Sequence, residues 1–402
     1  INHPLDCPIC DQGGECELQD LAQGFGSDVS RYVERKRVVK DKNIGPLIST
    51  DMTRCIHCTR CVRFTSEIAG LQELGTTGRG ENTQIGTFIE KNVDHELSGN
   101  VIDLCPVGAL NSKPFRFQGR SWEMTQHEIV SPHDAVGTNL YAHVLRGRVM
   151  RFVPRDNEAI NETWIADRDR FSYEGLYADD RLQKPMLRVD GELRETDWET
   201  ALNAAAQGIK DAVQRHGAGR VGFLGTPTST TEELFLLAQL ARKLGSANVD
   251  TRLRQLDFSD DSADPAYPGL GISLAEIEGL KSLLVVGSHL RHEAPMLAHR
   301  VRKAALAGTA VAFVNPARYE YLFPVVNQHV AGGGSLVTEL CALARAAAEA
   351  TGQALPAAVA GVAAGVTVTD AHRATAAALA GEGTRLVLLG ALAIRHPSYA
   401  DL

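Results

Sequence analysis

Cys55, Cys58 and Cys61 stand together in T-R-C-I-H-C-T-R-C-V-R, residues Thr53 to Arg63, and no other stretch so narrows what this chain can fold into. A C-x2-C-x2-C run is the bacterial-ferredoxin pattern, in which one short loop wraps three thiolates around an iron-sulfur cube. A fourth thiolate must come from elsewhere. The fitting candidate is Cys105, followed by Pro106 in D-L-C-P-V-G-A-L. In two-cluster ferredoxins the run continues x3-C-P, and that cysteine serves the other cluster. Here Thr65 takes that position, and counting back from Cys105 by the same rule meets His95, Ser98 and Val101. The pattern leaves one cube, held by Cys55, Cys58, Cys61 and Cys105.

Structural zinc is the competing reading. Zinc also takes four thiolate or imidazole ligands, but zinc ribbons space their two C-x2-C pairs about 15–20 residues apart. Three cysteines at x2 and x2 suit a cube better than a tetrahedron. His57, inside the run, is expected to face solvent or to support the ligands from behind, because Cys55 and Cys58 already point at the metal.

The opening, I-N-H-P-L-D-C-P-I-C-D-Q-G-G-E-C, contains H-x3-C-x2-C-x5-C at His3, Cys7, Cys10 and Cys16. These are four soft or borderline ligands in one short loop, with Gly13-Gly14 free to curl around a cluster. The chain has eight cysteines, seven of them before residue 106. That clustering suits reduced thiols on metal in a reducing compartment rather than a disulfide framework. The first residue is Ile and the ligand spacing begins at position 3, so the chain is expected to be a fragment of a longer one. Its 402 residues allow two to four domains. A net charge of −8 argues against a general nucleic-acid binder. No strongly apolar, charge-free run reaches the ~18 residues of a membrane span, and no secretory leader is expected. The nearest stretch, Cys341 to Gly365, is Ala-rich and broken by Arg345 and Glu349.

Between the cysteine motifs runs a basic segment, Arg31, Arg35, Lys36, Arg37, Lys40 and Lys42. It reads either as a solvated face or as a set of cations offsetting the negative charge of a thiolate-bound cluster. Tyr32 to Val39 alternates and predicts a strand. Val62 to Leu71 predicts a short helix, Ile85 to Ile89 a strand, and Gly75, Gly78, Gly80 and Gly86 turns. Pro106 restricts Cys105 to an extended conformation. Asn139 to Leu145 and Arg148 to Val153 predict a hairpin turning at Arg146-Gly147. Downstream the pattern becomes α/β: strands at Arg220 to Gly225, Ser282 to Val286, Ala310 to Val314 and Arg385 to Leu389, and helices at Thr230 to Leu244 and Ala294 to Ala307. Such alternation predicts parallel strands with helices on the faces. G-L-G-I-S-L at Gly269 lacks the third glycine of a dinucleotide loop and has no strand leading into it. His289, His292 and Glu293 in H-L-R-H-E-A-P read as surface and packing residues rather than a metal site.

The opening motif, then Y-x-x-x-K-R (Tyr32 to Arg37), G-P-L-I (Gly45 to Ile48), T-R-C-I-H-C-T-R-C-V-R-F and G-R-G-E (Gly78 to Glu81), resembles the large iron-sulfur subunit family of NADH:quinone oxidoreductase, respiratory complex I. The resemblance implies that His3 joins Cys7, Cys10 and Cys16 as ligands of one 4Fe-4S cluster, beside the cube of Cys55, Cys58, Cys61 and Cys105. It also implies a 2Fe-2S ferredoxin domain in a missing N-terminal part. Ile160 to Phe171, Arg181 to Met186 and Asp197 to Leu202 resemble the entry to the molybdopterin-dependent oxidoreductase fold. Catalytic members carry a further cysteine motif in this region, whereas no cysteine lies between Cys105 and Cys341 here. A fourth cluster and molybdopterin are therefore expected to be absent, and Cys341 to be a buried structural thiol.

The expected fold class is α+β iron-sulfur domains followed by a small β-rich region and an α/β molybdopterin-oxidoreductase-like domain. The expected boundaries are 1–40 (cluster on one histidine and three cysteines), 41–118 (four-cysteine cluster, ferredoxin-like), 119–185 (β-rich entry region without a cluster) and 186–402 (α/β, truncated). The resemblance implies an electron relay with no acid, base or nucleophile of its own. It would pass single electrons from the NADH/flavin side towards quinone. Its partners would be other peripheral-arm subunits, including the flavin/NADH-binding one, on the cytoplasmic face of a bacterial inner membrane or the matrix side of a mitochondrial one. The alternatives are a molybdenum or tungsten formate dehydrogenase and the iron-sulfur subunit of an NAD-linked hydrogenase. A zinc-bearing interaction scaffold is a third.

Overall fold

A computed structural model describes the chain except residues 1, 2, 28, 31, 90, 255, 263–268 and 333. It resolves into two compact units, one formed by Ile1–Tyr173 with Leu256–Leu402 and one by Glu174–Gln255.

The first unit begins with little regular structure. After the helix Glu17–Phe25, β1 (Ile48–Thr50), β2 (Leu74–Thr77), β3 (Gln84–Thr87) and β4 (Leu110–Ser112) form two small antiparallel pairs, β1 with β4 and β2 with β3. Tyr32 to Val39 is irregular, contrary to the strand predicted for it. Its alternation is real, but Val33 and Val38 are exposed and no strand pairs with the segment, so period-two patterning has no sheet to serve. Arg31 of the basic segment lies outside the described residues. Gly75 and Gly86 are not turn residues either: they face each other across β2 and β3, while Gly78 and Gly80 make the turn with positive φ. Ile44, Ile48, Phe64, Leu74, Val101 and Ile102 are buried in one core around these pieces.

A three-stranded antiparallel sheet follows, β5 (Thr125–Val130), β6 (Asn139–Leu145) and β7 (Arg148–Pro154), in the order β5-β6-β7. The β6–β7 turn holds Arg146 at φ 52° and Gly147 at φ 76°, the left-handed pair that a two-residue hairpin needs. In the second unit β8 (Met186–Val189) and β9 (Glu192–Glu195) form a hairpin. There β10 (Phe223–Leu224) pairs in parallel with β11 (Val249–Asp250), a shorter strand than Arg220 to Gly225 predicts. The helix Thr231–Lys243 starts on a capping box between Thr230 and Glu233.

The first unit resumes with a parallel sheet of β12 (Ser282–Val286), β13 (Ala310–Asn315), β14 (Asn327–Val330) and β15 (Arg385–Leu389), ordered β14-β13-β12-β15. Ser282 to Val286 and Ala310 to Asn315 are almost wholly buried, as strands covered by helices on both faces must be. Behind the carboxyl ends of β12 and β15 the main chain packs on itself. Gly390 N–H donates to Val286 O at 2.8 Å and Leu392 N–H to Gly287 O at 2.8 Å. A Cβ on Gly287 would lie 2.3 Å from Ala393 N, and one on Gly390 would lie 2.3 Å from Ser288 Cβ.

Buried polar joints tie the cysteine-rich half of this unit to the parallel sheet. Arg291 grips both oxygens of Glu96 at 2.7 and 2.9 Å. Glu162, held at φ 53°, accepts from His299 and Arg300 at 3.1 and 3.0 Å and also from Lys303. His95 lies beside Glu96, and His143 accepts from Arg151 at 3.0 Å. Burial pushes His95 down to about 4, Glu96 opposing and Arg291 adding to it. Burial and then Arg151 push His143 down to about 4. An unfolded histidine titrates near ~6.5, so the unfolded chain binds more protons than the fold between those values. Stability is therefore complete above about pH 6.5 and falls as pH drops towards 4, by up to about 2 kcal/mol per imidazole at pH 5. Urea unfolding at pH 7 and pH 5 should show this loss, and His143→Gln should flatten the slope.

Candidate metal centres

Cys55 to Cys61 is a loop under conformational strain. His57 (φ 56°) and Thr59 (φ 60°) both sit in the left-handed region, uncommon for any residue but glycine and an outlier for a β-branched one. Strain of this kind, about 1–3 kcal/mol per residue, persists where the surroundings over-determine it. Alternating the handedness curls the loop inward and brings His57 N–H to 3.4 Å from Cys55 Sγ. His57 thus supports a cysteine through its backbone. Cys61 lies in the first turn of the helical stretch that runs from Arg60 through a π-helical turn to Ala69.

Cys105 arrives from the other side. The helix Asn100–Leu104 stops because Pro106 forces its predecessor out of the helical region, and Cys105 is extended at φ −80°, ψ 105°. Asn100 anchors that helix, donating to Leu97 O and Ile165 O at 2.8 Å each. The backbone of Val107, Leu110 and Ala109 lies where it opposes the upward shift of the Cys105 thiol. Cys55, Cys58, Cys61 and Cys105 line one hollow together with Met52, Leu104 and other apolar side chains, with Cys58 at its exposed edge. Burial, and then the neighbouring thiols, push Cys61 up to about 12. Burial also raises Cys55 and Cys105. These three buried thiols are ones whose ionisation a metal's positive charge would favour.

The opening motif is built the same way. Leu5 is left-handed at φ 59°, and Gly14, at φ 99°, lies so close to Gly119 that a Cβ would come 2.2 Å from its carbonyl oxygen. Side chains hold the loop from outside. Gln19 Nε2 donates to Cys7 O at 3.0 Å and Cys10 O at 3.3 Å, Arg120 Nη1 to Gln12 O at 2.7 Å, and Arg151 Nη1 to Glu15 at 2.9 Å. Gln19 N–H points at Cys16 Sγ, 3.3 Å away, so the sulfur caps the helix Glu17–Phe25. Burial, opposed by Gln19 and reinforced by Cys10 and Cys7, pushes Cys16 up to about 12. His3 is 3% exposed, and its Nδ1 lies 2.7 Å from Arg54 O. A carbonyl only accepts, so Nδ1 carries the proton and Nε2 keeps the lone pair that a metal takes.

The two centres interlock. Arg54, the residue before Cys55, donates from Nη1 to Cys10 Sγ at 2.7 Å. Pro106, the residue after Cys105, offers its carbonyl to Leu18 N–H at 2.9 Å and to Cys16 Sγ at 3.9 Å. Motif reading passes over Arg54, because its partners are 44 and 51 residues away.

One zinc ion holds four sulfurs about 3.8 Å apart, twice the reach of a ~2.3 Å Zn–S bond opened to the tetrahedral angle. Among the described residues, the only three such ligand atoms within 4.8 Å of one another belong to His329, Glu339 and His372. Among the described residues neither cysteine set forms a group of that kind. The histidine group is itself a hydrogen-bonded lock. Thr369 N–H donates to His372 Nδ1 at 3.0 Å, leaving the proton on Nε2, which donates to Glu339 at 2.7 Å. His329 reaches the same carboxylate at 3.0 Å and Thr375 at 2.8 Å. A protonated Nε2 has no lone pair for a metal, so the trio pins β14 to the helices Leu336–Thr351 and Asp370–Leu379. Cys341 is buried in the first of these helices.

Four family models match in chain order. They are the NADH-ubiquinone oxidoreductase-G iron-sulfur binding region over residues 1–31, the ferredoxin-like domain of NADH-quinone oxidoreductase subunit 3 over 45–111, the NDSU1/NuoG-like 4Fe-4S domain of NADH-ubiquinone oxidoreductase over 124–174 and molybdopterin oxidoreductase over 181–379. The NADH-ubiquinone oxidoreductase 75 kDa subunit of Reclinomonas americana is 46% identical over 77% of this chain and 46% of its own length. The chain belongs to the family of that 75 kDa iron-sulfur subunit. The corresponding NADH-quinone oxidoreductase subunit of Rickettsia felis is 44% identical over 77% of this chain and 45% of its own. The mitochondrial NADH dehydrogenase [ubiquinone] iron-sulfur protein 1 of Solanum tuberosum is 46% identical over 79% and 42%. The chain thus spans less than half the length of these relatives. Ferredoxin-like 4Fe-4S domains are followed in it by a molybdopterin-oxidoreductase-like domain. Among the described residues no helix is long and apolar enough to cross a membrane.

Gly14→Ala should open the first loop, since the added methyl meets a backbone oxygen at a left-handed position, a clash worth roughly 1–3 kcal/mol or more. In the metal-free chain Cys10 and Cys16 should then alkylate faster by mass spectrometry, with Cys61 and Cys105 unchanged.

Proposed function

We propose that this chain is the cluster-bearing part of an electron-transfer subunit of NADH:quinone oxidoreductase, complex I, relaying single electrons from the NADH/flavin side towards quinone. His3, Cys7, Cys10 and Cys16 would hold one 4Fe-4S cluster, and Cys55, Cys58, Cys61 and Cys105 the other. When bound, such clusters supply one-electron storage at potentials set by charge, hydrogen bonding and burial. The observation that carries this reading is the interlock: a residue flanking each end of the four-cysteine set, Arg54 before it and Pro106 after it, touches a cysteine of the opening set.

The protein's own residues do three things. The left-handed turns at Leu5, His57 and Thr59 aim the ligands inward. Met52, Leu104 and Val107 give the hollow of the four cysteines apolar walls. The buried joints at Glu96–Arg291 and around Glu162 fix the cysteine-rich half on the parallel sheet. No acid, base or nucleophile is required.

In this reading residues 1–40 and 41–118 carry the two centres, 119–185 form a β-rich entry region without a cluster, and 186–402 are a packing body without molybdopterin. Partners are other peripheral-arm subunits, the flavin/NADH-binding one among them. The site of action is the cytoplasmic side of a bacterial inner membrane, or the matrix side if mitochondrial.

Anaerobically prepared protein should contain about eight iron and eight labile sulfide per chain. Stoichiometric zinc without sulfide would overturn the reading. His3→Ala should alter the low-temperature EPR signal of the Cys7/Cys10/Cys16 centre alone, and an unchanged signal removes His3 from the ligands. Metal analysis of the intact complex should find molybdenum and tungsten at background; either metal at about one per chain, bound with a pterin, would favour a formate dehydrogenase instead.

A further inference from the structure

Arg54 makes four connections from one nearly buried position. Its side chain is 9% exposed. Its carbonyl accepts from His3 Nδ1 at 2.7 Å, and its Nη1 donates to Cys10 Sγ at 2.7 Å. Nε donates to Asp51 at 2.6 Å and Nη2 to Asp11 at 2.5 Å. The two carboxylates differ in weight. Asp11 is 92% exposed and its pairing is screened by water, whereas Asp51 is 18% exposed, with its own N–H tied to Ala109 O at 2.8 Å. Asp51 therefore sets the plane of the guanidinium, and that plane sends Nη1 to the sulfur. The planar fork permits both bonds at once, and a guanidinium keeps its charge at any pH the protein meets.

A plain buried ion pair would explain Arg54–Asp51, but it leaves two contacts unaccounted for. They fall on two of the four groups assigned to one metal centre, one through the main chain and one through the side chain. Their chemistry is complementary. The carbonyl fixes the imidazole tautomer and ring plane so that Nε2 is presented. The N–H···S bond and the positive charge stabilise whichever state of the sulfur cage carries more electrons.

Resting on the two-cluster reading above, we propose that Arg54 is the positioning residue of the His3/Cys7/Cys10/Cys16 centre, orienting its histidine and holding its reduction potential up. Because Arg54 is joined by a peptide bond to Cys55, the second motif supplies the group that tunes the first. The two centres are thereby matched by one residue rather than adjusted independently.

Redox titration of the intact complex, followed by low-temperature EPR with iron and sulfide counted, tests this with Arg54→Gln and Arg54→Lys. In the Gln variant the midpoint of the signal from the His3-bearing centre should shift downward, and by more than that of the four-cysteine centre, with iron content unchanged. In the Lys variant, which keeps the charge without the fork, the midpoint should fall between those of Gln and wild type. An unmoved midpoint of the His3-bearing centre in Arg54→Gln with full iron overturns the assignment. So does an equal shift of both signals. Should the Gln variant lose the centre's iron, Arg54→Lys is expected to regain it, and loss in both variants marks a folding residue and overturns the proposal. Failure of the underlying reading is separate, since wild-type protein would then lack the signal of the His3-bearing centre altogether.

Discussion

Burial opposes the ionisation of Cys55, Cys61 and Cys105 around one hollow, with Cys58 at its exposed edge, and a metal's positive charge is what would answer that penalty. Burial, with the neighbouring thiols, carries Cys61 up to about 12, and Cys16 in the neighbouring loop to the same level. Much of the local architecture answers to that constraint. Backbone N–H groups turn towards sulfur, His57 and Thr59 accept left-handed conformations, and Pro106 ends a helix where a ligand is due. Residues 26 to 47 contain no helix or strand among those described, so the first part of the chain has few ladders of its own to stand on. In such a fold the free energy of binding metal is part of the free energy of folding.

What could be read in the sequence was what depends on close neighbours in the chain. Ligand spacing is local chemistry, and the cysteines at x2 intervals fall around one hollow with Cys105 beside them. The helix opening at Thr230, the Arg146-Gly147 hairpin and the strand Ser282–Val286 are equally local, and each lies where its residues indicate. Tyr32 to Val39 shows the limit: alternation predicts a strand only if another strand comes alongside, and the segment has none. Gly75 and Gly86 show another, since a glycine pair across a ladder looks the same in sequence as a glycine in a turn.

Contacts across long separations were hidden. Arg54 is an unremarked letter between Thr53 and Cys55 until the opening loop folds onto it. His329, Glu339 and His372 come from a strand and two helices, and no spacing rule connects them. The joint between Glu96 and Arg291 spans 195 residues. It is such pairs, rather than any apolar pattern, that decide how the cysteine-rich half sits on the parallel sheet, with Met296 completing the core of the former from a helix of the latter.

The close backbone packing at Gly287 and Gly390 bears on what that sheet is for. In open parallel sheets the usual ligand crevice lies beyond the carboxyl ends of the strands, where the strand order changes direction. In the order β14-β13-β12-β15 that place is between β12 and β15. Here it is filled by the chain's own main chain, near enough that neither glycine has room for a methyl group. Anything entering there would have to displace peptide groups already bonded to Val286 and Gly287.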